Sequence, residues 1–361
     1  MNSAIRLYLK NEAFETVGVI QQASSGLTFK SLEWESVFHK QDSFTIECGV
    51  RSSDLADIAL APSTAYIVRN DTLQIAKIER REFDGRNLIM EGIGVEGLLA
   101  KRFTKEEDFL PVGVNEGQNF VGAVMCDIIN SNKPFSWLVA DRAKNMVGPS
   151  IATYTEINGN VYKYLKMLAQ AYDIGIRCVF DEENNRVNFS AYGVVGIDVD
   201  IAGRTYIISD ELDNAKEPNY EYDTSKYYNY ARVVGEDGFS VPVDHHAEGE
   251  EVYEYSFKSK SRRKDKTDAE YSMILYDEGV QELAKRRIDE FFVMQPEPGA
   301  KIELGWETKT IGKNINKATQ SFCTEIRETW EETVTREYTF GYKTDEHDEL
   351  VISLQGEMYN G

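Results

Sequence analysis

Cysteine is scarce and poorly placed for chemistry: Cys48, Cys126, Cys178 and Cys323 lie far apart, and no CxxC or other metal-type spacing occurs. That argues against a zinc knuckle or a disulfide framework and leaves reduced, mostly buried thiols as the expectation. Long apolar runs are missing too. The opening MNSAIRLYLKNEAF has no apolar core of signal-peptide length, and no window of about 18 apolar residues occurs anywhere, so neither a secretory leader nor a membrane-spanning helix is expected. Positive charge is in deficit, with 40 Lys and Arg against 61 Asp and Glu and a formal net charge of -21. Affinity for phosphate backbones comes mainly from Lys and Arg displacing counterions, so the balance argues against wrapping nucleic acid. Catalytic signatures are also lacking: there is no GxSxG elbow, HExxH pair or Walker loop.

What is present is strand-turn-strand grammar. In SLEWESVFHKQDSFTIE (31–47) a Trp-centred strand and a polar turn lead into alternating Phe44, Ile46, Cys48 and Val50. The pattern continues through 66–103, where Asn70-Asp71 and Asp84-Gly85 sit between apolar runs as hairpin turns. After about residue 105 the hairpins stop, and KEEDFLPVGVNEGQ reads as a charged linker. A helix follows, with Phe120, Val124 and Ile128 on one face and Met125 and Ile129 beside them. Asn160 is the expected N-cap of a second helix with the stripe Val161, Leu165, Leu168 and Tyr172, and Gly175 lies beyond its end. Next come IRCVF and RVNFSAY, a hairpin around 181–185. From about residue 220 the β pattern returns in YYNYARVVG, VYEYSF, AKIELGWETKT, SFCTEIRETW and TVTREYTFGY. One helix near 275–292 interrupts it. Val280, Leu283, Arg287 or Ile288, and Phe291 mark its inner edge, and Glu282, Lys285, Arg286 and Asp289 its solvated face.

The order of these pieces resembles the hub proteins at the end of long-tailed bacteriophage tails, which are related in fold to the central hub of contractile-phage baseplates. The resemblance rests on the Trp34 strand, Phe44-Thr45-Ile46-Glu47, Ile78-Glu79, Asp84-Gly85, EGIGVEGLLAKRF, SKYYNYARVVGEDG (225–238) and TEIRETWEETVTREYTFGYK (324–343). The charged stretch 236–268 has no place in it. The fold class implied is α+β, mainly β: two β-barrel-like hub modules, 1–105 and 220–361, with a small α/β domain, 106–219, inserted between them. The resemblance further implies a structural, non-enzymatic tail-tip protein, made in the host cytoplasm and carried at the virion tail tip. Three copies would form a ring whose paired barrels offer six near-equivalent surfaces to a sixfold tail tube. The implied partners are the distal tail or tail-tube protein, the end of the tape-measure protein, and a fibre or receptor-binding protein. With the second module ending near residue 361, no peptidoglycan-degrading or host-binding extension is expected.

Several motifs invite sharper readings. Gly92, Gly94 and Gly97 spell GxGxxG, but a dinucleotide site needs a parallel strand before it and a full helix after it. Antiparallel hairpins precede this one, so the glycines are assigned to a strand end, with Leu98 and Leu99 covering the barrel mouth. Asp244-His245-His246 with Glu248, Glu250 and Glu251 offers metal-ligand types, yet adjacent histidines in a strand point apart, and a solvated loop is preferred. His39 and His347 sit beside polar turn residues with no partner in sequence. Glu106-Glu107-Asp108 and Glu331-Glu332 are assigned to turns and wet strand faces. The basic run Lys258, Lys260, Arg262, Arg263, Lys264 and Lys266 is either a loop that docks on an acidic neighbouring subunit or a disordered charged loop. Tyr227, Tyr228, Tyr230, Tyr253 and Tyr255 are assigned to a core or a subunit contact, with sugar stacking by a monomer as the alternative. No catalytic, cofactor-binding or metal-ligating residue is assigned and no cofactor is expected; a tail-associated peptidoglycan or polysaccharide hydrolase is the enzymatic alternative.

Overall fold

The structure is a computed structural model that describes residues 5–21, 27–49, 58–102, 119–132, 135–151, 160–196, 207–297, 300, 302–313 and 315–343. The linker expected at 105–118 and His347 lie outside these residues.

Seven strands make the first module: β1 (Arg6–Asn11), β2 (Thr16–Gln21), β3 (Leu27–Val37), β4 (Ser43–Gly49), β5 (Thr64–Arg69), β6 (Ile75–Phe83) and β7 (Asn87–Gly94). They follow the order β3-β2-β1-β5-β6-β7-β4, and β4 pairs back onto β3, so the ring closes. All ladders are antiparallel except the short β2–β3 pairing at Ile20 and Gln21. Strict alternation drives the closure: Leu88 and Met90 of β7 point inward to join Leu7, Leu9, Leu32, Trp34, Phe44, Ile46 and Ile67 in one core. The Asp84-Gly85 turn forms as expected, with Gly85 at φ 88° and the Asp84 carboxylate accepting the backbone N–H groups of Arg86 and Asn87. β5 is buried along its whole length. Its Ile67 faces the barrel core, whereas Ala65, Tyr66 and Val68 belong to the core of the next layer.

That layer is the small α/β unit. α1 (Val121–Asn132) and α2 (Val161–Tyr172) pack with the three-stranded sheet β8-β10-β9, formed by β8 (Leu138–Ala140), β9 (Ile174–Asp181) and β10 (Arg186–Gly193). Asn160 caps α2, its side chain accepting Lys163 N–H at 3.1 Å. The C-cap is Asp173 in the left-handed region, φ 50°. Gly175 instead lies inside β9, where a Cβ would press on the Tyr192 and Phe38 rings.

The second β-module contains β11 (Ile207–Ser209), β12 (Ala215–Asp223), β16 (Asp289–Pro296), β17 (Glu307–Gly312), β18 (Lys317–Trp330) and β19 (Val334–Tyr342). They run β12-β16-β19-β18-β17-β11, around a core of Ile208, Ala215, Phe292, Met294, Cys323, Tyr338 and Phe340. Among the described residues no ladder joins β11 to β12, so this second ring is barrel-like with a seam. β18 serves both modules: its first half pairs with β17, and from Glu325 to Trp330 it pairs with β3.

Three expectations change here. The strands at 230–258 leave the second ring and form their own sheet, β14-β13-β15, from β13 (Tyr230–Val234), β14 (Ser240–Asp244) and β15 (Glu254–Lys258). The helix covering that sheet, α3 (Asp268–Ala284), starts earlier and stops sooner than 275–292, because Thr267 and Glu270 form a capping box and the chain becomes β16 at Asp289. Phe291 is therefore a strand residue. Arg286 is not on a solvated face but 2% exposed, held at 2.6 Å by Glu282 and stacked on Tyr255 with its guanidinium carbon 3.8 Å from the ring centre.

Candidate functional site

The GxGxxG glycines serve close packing. Gly92 and Gly94 lie in β7, and Gly97 in a 3-10 helix, Val95–Lys101. A Cβ at Gly92 would overlap the Lys77 carbonyl oxygen and the Phe44 ring, and one at Gly94 would overlap the Glu96 carboxylate. Leu98 and Leu99 join the core of α1 and α2 rather than that of the barrel, which corrects their expected place over its mouth. Ahead of them the helix buries Glu96, whose carboxylate accepts Asp42 N–H at 3.0 Å. The Asp42 carboxylate in turn accepts the Gln74 amide at 2.6 Å and, more weakly, Trp34 Nε1 at 3.4 Å. Burial pushes Asp42 up to about 6; burial followed by repulsion from Asp42 pushes Glu96 up to about 8. No sequence signal separates these two carboxylates from the many others.

Asp244, His245 and His246 end β14 in an exposed turn, where His246 bonds back to Asp244, and no metal-type cluster occurs among the described residues. Glu331 and Glu332 occupy the exposed β18–β19 turn. Glu106, Glu107 and Asp108 lie outside the described residues.

His39, which has no partner in sequence, gains one in space. It lines a cleft of about 120 Å³ where β3, α2, the end of α3, β18 and β19 meet, well short of the roughly 300–1,000 Å³ of small-molecule sites. His39 Nε2 lies 3.7 Å from Asp173 Oδ1, too long for a hydrogen bond. Asp173 also receives Arg287 at 3.2 Å and the Tyr342 hydroxyl at 2.7 Å. Burial holds His39 below its ordinary pKa, outweighing the nearby Asp173; Asp173 stays below the usual carboxylate range because its bonds overcome its own burial. The hydroxyl of Thr324, another residue of this cleft, donates to the backbone carbonyl of Gly341 at 2.7 Å. The group works as a bolt between modules: Arg287 Nε donates to Ala284 O behind α3, and its guanidinium reaches Gln170 O at the end of α2 while lying 4.0 Å over Tyr342.

A wider, open groove of about 510 Å³ lies where β12 ends beside the segments leading into β13 and β15. Its walls are Tyr222, Tyr227, Tyr228 and Tyr253, with Glu250 and Glu251. Tyr227 donates to Glu250 at 2.6 Å and Tyr253 to Glu251 at 3.3 Å, so the phenols point at carboxylates and leave ring surface outward. Buried Asn229 fixes the wall by accepting Tyr253 N–H at 2.7 Å and donating to Glu251 O at 2.8 Å. The tyrosine series thus divides. Tyr227, Tyr228 and Tyr253 line the groove, Tyr255 lies under Arg286, and Tyr230 is a ladder residue of β13. Tyr222, 52% exposed, was not singled out in sequence, although it alternates with Tyr220 on β12.

The sequence matches the Siphovirus ReqiPepy6 Gp37-like protein family over residues 6–342. The chain belongs to that family. Comparison with curated proteins gives no match. Solved structures similar to this Gp37-like chain include the tail protein from Neisseria meningitidis MC58, at 11% identity and TM-score 0.56, covering 94% of this chain and 97% of the other. The 43 kDa tail protein of prophage MuSo2 from Shewanella oneidensis is 10% identical with TM-score 0.57, covering 94% and 98%. Prophage tail protein gp18 from Listeria monocytogenes EGD-e is 10% identical with TM-score 0.56, covering 99% and 100%. At such identities the likeness is one of fold, and the Gp37-like chain has the fold of phage and prophage tail proteins along nearly its whole length.

Proposed function

We propose that this Gp37-like protein is a structural hub at the tail tip: it closes the distal end of the tail tube and connects it to the host-recognition or cell-wall-piercing apparatus. The observation that carries this reading is the tail-protein fold spread over almost all of both chains in each comparison. The closed first ring, fused through β18 to a second, seamed ring, supplies the paired modules that such a hub needs. We read as its units a first β-module over 1–105, an α/β unit that ends ahead of β11 rather than at the expected 219, and a second β-module that begins with β11 and carries the α3 sheet as an outgrowth. Three copies in a ring would meet the tail-tube protein above and the tape-measure end and a fibre or receptor-binding protein around it. The role is non-enzymatic in this reading, since the hydroxyl in the His39 cleft, that of Thr324, is already committed to Gly341 O.

Immunogold labelling of virions tests the location: label confined to the tail end opposite the head is expected, and label along the tube or none at all would refute it. Light scattering tests the ring, for which three times the 41.1 kDa chain mass is expected, alone or with the tube protein added.

A further inference from the structure

We propose that the tyrosine groove of one copy receives the basic segment 258–266 of a second copy, so that the outgrowth built from β13, β14, β15 and α3 is a head-to-tail connector. The inference deepens the hub reading and rests on it for ring closure, while the contact itself is testable on the purified chain.

The two surfaces lie at opposite ends of one small sheet. β13 and β15 run parallel, with Tyr230 beside Glu254 and Val234 beside Lys258. The groove residues Tyr227, Tyr228, Glu250, Glu251 and Tyr253 all precede these strands, whereas Lys258 ends β15 and the basic run follows it. Four strand steps of about 3.3 Å separate the poles by roughly 13 Å.

The basic segment is held at its own pole. Arg263 pairs with Asp268 and lies over Phe239, its backbone N–H reaches Glu236 at 2.9 Å, and Lys266 donates to Arg262 O at 3.3 Å. It therefore cannot swing round to its own groove. Glu236 and Asp268 engage Arg263, while Lys258, Lys260 and Arg262 stand exposed. The acidic pole has the complementary chemistry: Glu250 and Glu251 supply charge, and the tyrosine rings supply faces for cations. The chain already uses that pairing elsewhere, as with Arg286 over Tyr255, Arg287 over Tyr342 and Lys317 5.7 Å from the ring centre of Tyr222. A contact between unlike surfaces of identical copies is heterologous, and closes into a ring when the rotation between copies allows it.

Two variants made at exposed positions test this. Glu251→Gln/Tyr222→Ser blunts the groove, and Lys258→Gln/Lys260→Gln/Arg262→Gln blunts the segment. By sedimentation velocity at low salt, the unmodified chain should self-associate, and each variant alone should do so at least about tenfold more weakly. An equimolar mixture should form dimers and nothing larger, since each pair keeps one intact groove and one intact segment. Raising the salt should weaken all association. As a second readout, copies carrying Glu251→Cys and copies carrying Lys260→Cys should cross-link to each other on oxidation, with the four native cysteines buried and silent. The proposal is overturned by an unmodified chain that stays monomeric throughout, by variants that associate as well as it does, or by a monomeric groove whose ligand is a neutral oligosaccharide. Failure of the hub reading would show differently: the contact would persist in solution while labelled virions carried no chain at the tail tip.

Discussion

The first β-module returns β4 onto β3 and closes, with β18 laid along β3 as well, whereas the second stops short, with β11 and β12 unjoined among the described residues. A closed ring satisfies most of its own backbone, and the edge that β3 does offer is taken by β18; a seamed ring keeps edges that must be blunted or used. β12 is blunted by a register shift between Lys216 and Asn219, by Glu217 at φ 53°, and by Pro218. Its far end, at Tyr222, forms a wall of the tyrosine groove. The asymmetry thus separates a self-contained module from one that carries contact surface, and β18 is the strand that couples them.

Breaking that coupling should have the largest effect. Arg69 of β5 is buried between Trp34 and Trp330, 5.3 and 5.0 Å from the ring centres, and pairs with Asp71 at 2.8 Å and with Glu328 of β18 at 2.7 Å. Arg69→Ala would leave Glu328 with Arg336 alone and open a cavity beside two indoles. A loss of roughly 3–5 kcal/mol is expected in urea unfolding, with the single transition splitting as the modules uncouple. A variant within about 1 kcal/mol of the parent would remove this bolt from the account.

The closed ring should also tolerate less distortion. A Cβ at Gly92 would overlap the Lys77 carbonyl, and one at Gly341, where φ is 112°, would overlap the Glu290 carbonyl. β7 is locked between β6 and β4, but the neighbour of β19 is β16, one strand from the edge, and can yield. Gly92→Ala should therefore cost about 3 kcal/mol, and Gly341→Ala nearer 2. The reverse order in thermal or urea unfolding would mean that closure does not stiffen the first ring.

A large share of the pH response should come from the first module, beside that of Asp277 in α3, which burial pushes up to about 7. Folded Asp42 and Glu96 hold their protons up to about 6 and about 8, whereas unfolded carboxyls release theirs near roughly 4. The folded chain thus binds more protons between these limits, so this contribution is fullest below about pH 4 and falls as pH rises through both folded values. His39 acts with the opposite sign: its lowered pKa gives stability that is present above about 6.5 and lost as pH falls. Glu96→Gln should raise the urea midpoint at pH 9 and barely change it at pH 5. An unchanged gap between the two pH values would assign the slope to other groups.

Much of this was legible in residue order, and the reasons for what was not are physical. Alternation and the Asp84-Gly85 turn revealed the first module's hairpins, and Asn160 revealed the α2 cap, because those signals are local. Which strand pairs with which is not local: nothing near 325–330 says that β18 leaves β17 for β3, or that Trp330 will meet Arg69. His39 gained Asp173 and Arg286 gained Tyr255 through the same kind of distant packing. One miss did have a signal. Thr267 followed three residues later by Glu270 is a capping box, and it places the start of α3 correctly.

That box allows the smallest and most local test of the comparison. Thr267 Oγ1 accepts Glu270 N–H at 3.3 Å, and Glu270 returns the bond to Thr267 N–H at 2.8 Å, closing the first turn of α3 over the outgrowth sheet. Thr267→Ala should cost about 1 kcal/mol. Because Tyr271 and Leu275 of α3 pack on Val233 of β13 in a cluster separate from either ring core, the loss should appear as faster amide exchange in α3 and β13, with the first barrel's protection unchanged. Equal loss in both would mean that the outgrowth and the closed ring unfold as one unit, and the connector would then be a rigid part of the barrel scaffold rather than a separately stable arm.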